Sequence, residues 1–446
     1  MKKNITLGLC LAAMLASGSL NAQNRYSGYY KDIFMDSGIE LNTYSSIPAV
    51  DFLGLTMERF TSLDKKTYDD EDNPYSWTSG GSAYDKQLQH DTFVGSAIDE
   101  NGVLLYPDGA PRFRLVYLNG GQSTNHGRSL GPDGVANYKK FYDAGGSFVG
   151  TCAGSIMPSK GRWFKTGPKD YPEYFGAWPG YITGTGLNVS ATGLYVEDNC
   201  PLLKYYDFGG DMYIDSVRHN GGCYMHEEEY PEGTEILLRY DGYKQYETKY
   251  PVKPNIDKKV NAWAYKASGN TGRLVVTGSH PERMMSGERL QMFAAMMRYA
   301  LDGNGDPVLK GELVNGKARQ MTKGTKDNDP AFTKIGDKQY HHFVVNVPEG
   351  VKSLRIDLKS VKGNNDYDMF LFAADGKFAF NDVAEYGNMS HGFDKYLVID
   401  NPKAGQLYIS VYCNTTVTAL ENERGQQYIG RTDVLNGVPY SIAVTF

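Results

Sequence analysis

The segment Gly145–Ser155, with the sequence GGSFVGTCAGS, constrains the fold of this chain more than any other. A short apolar run ends in the pattern Gly-x-Cys-x-Gly, and small residues and then Pro158 follow. This order is typical of a nucleophile elbow, a tight turn between a buried strand and a helix that presents one reactive side chain. The pattern predicts that Cys152 is a nucleophile, and the N-terminus of the following helix would favour its thiolate form. The alternative is a buried structural cysteine between two glycine turns.

A later segment supplies the partners that a cysteine nucleophile needs. The apolar run Arg273–Thr277 predicts a buried strand, and the sequence GSHPE follows its end. Residues two apart in an extended segment face the same way, so we expect His280 and Glu282 on one side, with Pro281 stiffening the link. A carboxylate that orients an imidazole is the base that a cysteine nucleophile requires. The sequence therefore predicts His280 as the base for Cys152 and Glu282 as its orienting acid.

The order of the elements around these segments indicates an α/β fold. The predicted strand Phe113–Leu118 is followed by Gly120 and Gly121, whose N–H groups could face a substrate oxygen or form an ordinary strand-to-helix turn. Apolar residues at helical spacing predict helices over Pro132–Ala144 and Ser286–Leu301. The succession of a strand, a glycine turn, a helix, a strand and the elbow implies a largely parallel sheet with helices on its faces.

The N-terminus predicts export. Lys2 and Lys3 precede an apolar core, and small residues lead to Ala22, so residues 1–22 have the pattern of a signal peptide. We expect a periplasmic or extracellular protein, and Leu9 before Cys10 argues against a surface lipoprotein. No later stretch offers 18 unbroken apolar residues, which predicts no transmembrane segment. The net charge of −6 without a basic stripe argues against a nucleic-acid partner.

Metal and disulfide sites have weaker signals. The mature chain would keep Cys152, Cys200, Cys223 and Cys413, of which Cys200 and Cys223 could form a disulfide or remain unpaired buried thiols. The segments 219–223 and 226–229 contain histidine, cysteine and glutamate, but no second histidine has a recognised ligand spacing. We therefore expect neither a metal nor a cofactor. An aromatic cluster in residues 163–181 could form the wall of a substrate cleft or a small core of its own.

The C-terminal region has a different composition. A polar linker, residues 302–311, precedes short strand-like runs separated by turn residues, which predict an all-β sandwich over 312–446. Asp366 and Asp368 stand at the start of one such strand. They could bind calcium, although solvated or structural carboxylates are the more common case.

Together the elbow GTCAG and the later HPE resemble the class I glutamine amidotransferase-like superfamily, with the closer likeness to the amidotransferase-like domain at the N-terminus of some biotin–protein ligases. The glycine pair before the elbow and the Asn-Gly-Gly at 220–222 also match. The resemblance implies a flavodoxin-like α/β domain over residues 23–301 with a mostly parallel sheet and helices on both faces. By analogy, the N–H groups of Ala153 and of Gly120 or Gly121 form the oxyanion hole, and Asn220 and Gly221 contact substrate.

The region from 312 onwards resembles the pre-peptidase C-terminal domain, an accessory module of secreted hydrolases. No ligase catalytic domain follows the first region, so biotin transfer is not implied. We therefore expect a secreted cysteine hydrolase that cleaves a small amide or peptide substrate through an acyl-enzyme. The alternative is a non-catalytic extracytoplasmic binding protein on the same fold. Neither the identity of the substrate nor a protein partner follows from the sequence.

Overall fold

The computed structural model describes residues 28–62, 83–188, 190–228, 230–246, 254–361, 366–420 and 425–446. The predicted signal peptide, the acidic segment 69–74 and Glu229 lie outside these ranges. No helix within them is long and apolar enough to cross a membrane.

The first part of the chain alternates strands and helices up to the elbow and then consists almost entirely of strands. Its described elements are β1 Lys31–Ser37, α1 Pro48–Leu53, β2 Met57–Thr61, α2 Ala83–Phe93, β3 Phe113–Leu118, α3 Ser123–Asp143, β4 Ser147–Thr151, α4 Ala153–Ile156, β5 Ser159–Phe164, β6 Gly167–Asp170, β7 Trp178–Gly184, β8 Ser190–Val196, β9 Tyr213–His219, β10 Cys223–Met225, β11 Thr234–Tyr246, β12 Val260–Tyr265, β13 Leu274–Thr277 and α5 Gly287–Leu301.

These strands build one large mixed sheet. Among the described residues it has nine strands in the order β2-β1-β3-β4-β13-β12-β11-β8-β9. The pairs from β2 to β13 are parallel, and those from β13 to β9 are antiparallel. A parallel pair needs a long crossover, usually a helix, and the described residues between α4 and α5 contain no α-helix. The predicted α/β order thus applies to the parallel half, and the sheet as a whole is mixed rather than mostly parallel.

Alternate residues of the sheet belong to two hydrophobic clusters. Ile33 and Met35 of β1 join a cluster that contains most of α5, whereas Phe34 between them joins a cluster with α3. This period of two is the normal consequence of the pleat. The predicted apolar stripes of both helices are buried. Helix α3 begins before the predicted helix and is kinked at Gly131, next to Pro132.

The aromatic residues after the elbow are only partly core. They lie in and around a smaller sheet of the described strands β10-β7-β5-β6. Tyr174, Phe175 and Trp178 are buried in the same cluster as α3. Arg162 of β5 donates to the Tyr174 hydroxyl at 2.8 Å and to Ser123 Oγ at 3.0 Å, which fixes this sheet to the start of α3. The buried members thus join a main core of the sheet rather than a small core of their own, and the other aromatic residues of 163–181 are partly buried or exposed.

The C-terminal part of the chain forms two packed sheets. Its described strands are β14 Leu309–Glu312, β15 Arg319–Met321, β16 Tyr340–Val347, β17 Ser353–Ser360, β18 Met369–Asp375, β19 Tyr386–Asn388, β20 Lys395–Asp400, β21 Gly405–Cys413, β22 Val417–Ala419, β23 Tyr428–Gly430 and β24 Tyr440–Thr445. One sheet has the order β14-β16-β21-β18-β19 and the other β15-β24-β17-β20. Residues of both sheets share one core cluster, which makes this region a β-sandwich.

Charged groups are buried where the two parts of the chain meet. The Arg112 side chain is 2% exposed, and its guanidinium lies 3.1 Å from Asp337 Oδ2 and 3.3 Å from the Tyr428 hydroxyl. Asn304, in the predicted linker, is also buried and donates to the carbonyl oxygen of Arg114 at 2.6 Å. Buried charges need such partners, so the sandwich supplies contacts that the first part of the chain depends on.

Candidate active site

The turn after β4 has the backbone of a nucleophile elbow. Cys152 has φ 51° and ψ −109°, a conformation that is strained for any residue with a side chain. Its N–H donates to the carbonyl oxygen of Thr277 at 2.9 Å, which joins the elbow to the end of β13. A Cβ added at Gly154 would collide with the carbonyl oxygen of Leu118, and one at Gly150 with that of Gly154. The Gly-x-Cys-x-Gly spacing is therefore a packing requirement of this turn.

The helix after the elbow is a single turn. Helix α4 begins directly after Cys152 and covers Ala153–Ile156, and Pro158 leads into β5. A single turn contributes only a small dipole, so the expected contribution of the helix N-terminus at Cys152 is small.

The predicted base and its acid are in contact. His280 Nδ1 lies 2.8 Å from Glu282 Oε1, and the Glu282 side chain is 1% exposed. The Cys152 side chain lies near the His280 imidazole and raises its pKa. Since Nδ1 faces Glu282, the second ring nitrogen is the one available to the sulfur. The structure thus brings the three predicted residues together, from the ends of β4 and β13.

Electrostatics favour the charged forms of the imidazole and the carboxylate. Burial lowers the pKa of His280, but the negative charges of Cys152 and Glu282 raise it more, so it stands well above its usual range. Burial raises the pKa of Glu282, and the charge and hydrogen bond of His280 lower it more. An imidazolium held by a carboxylate beside a cysteine is the arrangement on which cysteine nucleophiles depend.

The glycine pair lies beside the base. A Cβ at Gly120 would collide with Cε1 of His280, so the chain passes directly against the imidazole ring. The carbonyl oxygen of Gly120 accepts a hydrogen bond from the N–H of Asn42 at 2.9 Å. Within the described ranges, the amides of Gly120, Gly121 and Ala153 have no backbone acceptor. Free N–H groups close to a nucleophile are the usual components of an oxyanion hole.

Of the predicted substrate-binding residues, Asn220 lies at the site. Its carbonyl oxygen accepts a hydrogen bond from Cys152 Sγ at 3.7 Å. The backbone of Gly221 is engaged elsewhere, because its N–H donates to Leu187 at 2.9 Å and its carbonyl accepts from Thr185 at 2.6 Å. Asn220 therefore lies next to the sulfur, whereas Gly221 stabilises the loop through its backbone hydrogen bonds.

The four remaining cysteines are free thiols. Cys152, Cys200, Cys223 and Cys413 are all buried and unpaired. A disulfide between Cys200 and Cys223 is wrong, because these residues belong to the two different core clusters of the sheet. Burial raises the pKa of Cys200 to about 11 and that of Cys223 to about 12. The alternative of unpaired buried thiols is the correct one.

The histidine and acidic residues of segments 219–223 and 226–229 form no metal site in the part of the chain that the structure describes. Among the described residues no group of three or more histidine, cysteine or acidic side chains could hold an ion. His219 is buried beside Ser190, with its Nε2 3.0 Å from the hydroxyl, and His226 stacks on Trp163 with ring centroids 3.9 Å apart. Both are structural in this fold, while Glu227 pairs with Arg239.

The carboxylates at the start of β18 have protein partners. Asp368 accepts the N–H of Gly392 at 3.1 Å and the side-chain amide of Asn414 at 2.9 Å. Asp366 lies 3.4 Å from the Arg431 guanidinium. These donors favour the structural interpretation over calcium binding.

Two residues at the site have no motif in the sequence. Tyr44 donates to Glu282 Oε1 at 3.1 Å, and the Asn42 side-chain amide donates to the Tyr44 hydroxyl at 3.3 Å. Both follow β1, which is a neighbour of β3 in the parallel half of the sheet. Ligands of open α/β sheets bind at the carboxyl ends of such strands. That rule, applied to the carboxyl end of β1, is the signal that could have found them.

Comparison with known proteins gives distant likenesses. No protein-family model and no curated protein matches the chain. A solved glutamine amidotransferase is 16% identical with a TM-score of 0.28, covering 48% of this chain and 94% of that one. A putative GMP synthase subunit from Thermoplasma acidophilum is 12% identical with a TM-score of 0.32, covering 61% and 96%.

The sandwich has a likeness of its own. The pre-peptidase C-terminal domain of a collagenase from Bacillus anthracis is 12% identical with a TM-score of 0.17, covering 32% of this chain and all of that one. None of these structures is a biotin–protein ligase. At such TM-scores the likenesses assign neither a family nor an activity to the chain.

Proposed function

We propose that this protein is an exported cysteine hydrolase that cleaves a small amide or peptide substrate through an acyl-enzyme. The observation that carries the proposal is the position of Cys152, at a positive φ of 51°, near the His280 imidazole, which itself lies 2.8 Å from Glu282. The pattern of residues 1–22 supports export. A structural cysteine needs neither a strained turn nor an ionised imidazole beside it.

The chemistry follows from these positions. The Cys152 thiolate attacks the carbonyl carbon, and the negative oxygen that develops is stabilised by the N–H groups of Ala153 and of Gly120 or Gly121. The His280 imidazolium gives its proton to the leaving nitrogen as the carbon–nitrogen bond breaks. The neutral imidazole then takes a proton from water, and the water oxygen attacks the thioester. The departure of the Cys152 sulfur releases the carboxylic acid and restores the enzyme.

The first test is the reactivity of the thiol. The full chain is titrated with iodoacetamide from pH 5 to 9, alone and as His280→Ala, and the adduct is located by mass spectrometry. We expect fast labelling of Cys152 below pH 7 that slows in the variant. Labelling only near the ordinary thiol pKa of about 8.5, indifferent to His280, would contradict the proposal and favour the non-catalytic binding protein.

The second test is turnover. Mixtures of amides and short peptides are incubated with the protein, with Cys152→Ala and with Cys200→Ala as a matched cysteine control. Hydrolysis should be lost only in Cys152→Ala, and a mass increase on Cys152 should appear when the acyl-enzyme is trapped by acid. Equal hydrolysis by all three proteins would exclude Cys152 as the nucleophile.

A further inference from the structure

Tyr44 joins the Glu282 carboxylate to an edge strand of the large sheet. The residue is buried, and its hydroxyl donates to Glu282 Oε1 at 3.1 Å. Its backbone carbonyl accepts a hydrogen bond from Arg59 Nη1 at 2.7 Å. Arg59 belongs to β2, which lies at the edge of the sheet. Both ends of Tyr44 are therefore fixed, one at the candidate triad and the other at β2.

Residues of the C-terminal region cover that edge. The N–H of Gly425 donates to the carbonyl oxygen of Thr61 at 3.1 Å, and the Gln426 side chain donates to the carbonyl oxygen of Arg59 at 3.4 Å. The hydroxyl of Tyr428, in β23, donates to Glu58 Oε1 at 3.0 Å. An uncovered edge strand has unpaired backbone groups, and here the sandwich region supplies partners for them.

We propose that Tyr44 is a positioning residue of the triad and that the docking of residues 425–428 on β2 holds it in place through Arg59. The C-terminal sandwich would then complete the active site rather than act as a detachable accessory. The proposal rests on the proposed function, since it assigns a role to the same three residues. Its physical basis is that Glu282 Oε1 accepts from both His280 and Tyr44, so a second donor restricts the orientations of the carboxylate that holds the base.

The test of Tyr44 uses Tyr44→Phe, which removes the hydroxyl and keeps the ring. In the full chain we expect iodoacetamide to label Cys152 about tenfold more slowly at pH 6, which is the effect of one lost hydrogen bond to a charged group. In a Glu282→Gln background the same change should have no further effect. Tyr205→Phe removes a hydroxyl that donates to Asp302 at 2.6 Å, at the end of α5, and is the matched control.

The test of the docking uses Arg59→Met and, separately, Gln426→Ala combined with Tyr428→Phe. In both proteins iodoacetamide should label Cys152 more slowly at low pH, as in Tyr44→Phe. Arg59→Lys keeps a donor and should recover part of the labelling rate. Near-ultraviolet circular dichroism checks that each variant is folded. If Arg59→Met does not fold, the double variant and Arg59→Lys decide the question.

Each result separates this proposal from the proposed function. An unmodified protein that labels rapidly at low pH, together with unchanged labelling in Tyr44→Phe, overturns the positioning role and leaves the hydrolase intact. Slower labelling in Tyr44→Phe with unchanged labelling in the docking variants overturns the role of the sandwich. An unmodified protein without an activated thiol overturns both, because there is then no base to position.

Discussion

The imidazole Nδ1 of His280 and the carboxylate Oε1 of Glu282 lie 2.8 Å apart, with Pro281 between the two residues. The contact is local, because only Pro281 separates the two residues, which follow the end of β13. Glu282 receives a further hydrogen bond from Tyr44, which lies far away in the sequence. The Glu282 carboxylate, which holds the base, thus takes part in one short-range and one long-range interaction.

The first prediction concerns this carboxylate. Glu282→Gln should lower the rate of hydrolysis by roughly 10²–10⁴-fold, because a neutral amide neither stabilises the imidazolium nor fixes its tautomer. The rate constant is measured on whichever amide or peptide the unmodified protein hydrolyses. Glu235→Gln, which alters a carboxylate bound to the Tyr299 hydroxyl, is the control and should keep the rate. Equal rates in all three proteins would remove Glu282 from the mechanism.

The second prediction is that the thiols differ sharply in reactivity. Burial raises the pKa of Cys200 to about 11, that of Cys223 to about 12 and that of Cys413 further still. Only a thiolate is alkylated, so native protein at pH 7 should carry one adduct, at Cys152. Peptide mapping after brief iodoacetamide treatment measures this, and the denatured protein should label at all of them. Rapid native labelling of Cys223 would show that this part of the fold opens readily.

The third prediction concerns the packing of the elbow. Gly154→Ala places a methyl group against the carbonyl oxygen of Leu118 and should destabilise the protein by about 3 kcal/mol or more. Gly184→Ala meets no atom within 4 Å and should cost about 0.5 kcal/mol or less. Urea unfolding followed by fluorescence compares the two variants. Similar midpoints would mean that the backbone at the elbow adapts without cost.

The fourth prediction concerns the buried contact between the two parts of the chain. Asp337→Ala leaves the Arg112 guanidinium without its closest carboxylate and should cost about 3–5 kcal/mol. Asp357→Ala removes the partner of Arg355, whose side chain is 44% exposed, and should cost about 1 kcal/mol at most. Chemical unfolding of the full chain gives both values. A loss for Asp337→Ala no larger than that for Asp357→Ala would show that the junction is solvated.

The local features of the site were predictable from the sequence, because they depend on neighbours in the chain. The glycine spacing around Cys152 and the contact between His280 and Glu282, two residues apart, are of this kind, and so are strands β3, β4 and β13. The long-range features had no local signal. Tyr44 reaches Glu282 only because β1 and β13 lie in one sheet, and the antiparallel half follows from the absence of crossover helices among the described residues after α4.

The length of α4 shows how tertiary packing overrides a motif. The elbow pattern predicts a helix after Cys152, but the chain turns into β5 after one turn and joins the smaller sheet with β7. Pro158 follows Met157, whose backbone is still helical, and it has no N–H to continue the hydrogen bonding of the helix. The buried Trp178 of β7, in the same cluster as α3, shows which packing competes with a longer helix.

The last prediction is a loss of stability in acid that depends on His219. Burial lowers the pKa of this imidazole to about 4, whereas an exposed histidine in the unfolded chain has its ordinary pKa of 6.5. Between these values the unfolded chain binds a proton that the folded protein does not, so the stabilisation present above pH 6.5 is lost as the pH falls towards 4.

For His219 alone this amounts to about 2 kcal/mol between pH 8 and pH 5. Urea unfolding at both values measures the slope, which should be smaller in His219→Asn, while His90→Asn, at an exposed position, should keep it. Burial also lowers the pKa values of His341 and His342, to about 4 and about 3, so part of the slope should remain in every variant. An unchanged slope in His219→Asn would mean that this imidazole takes up its proton without unfolding the chain.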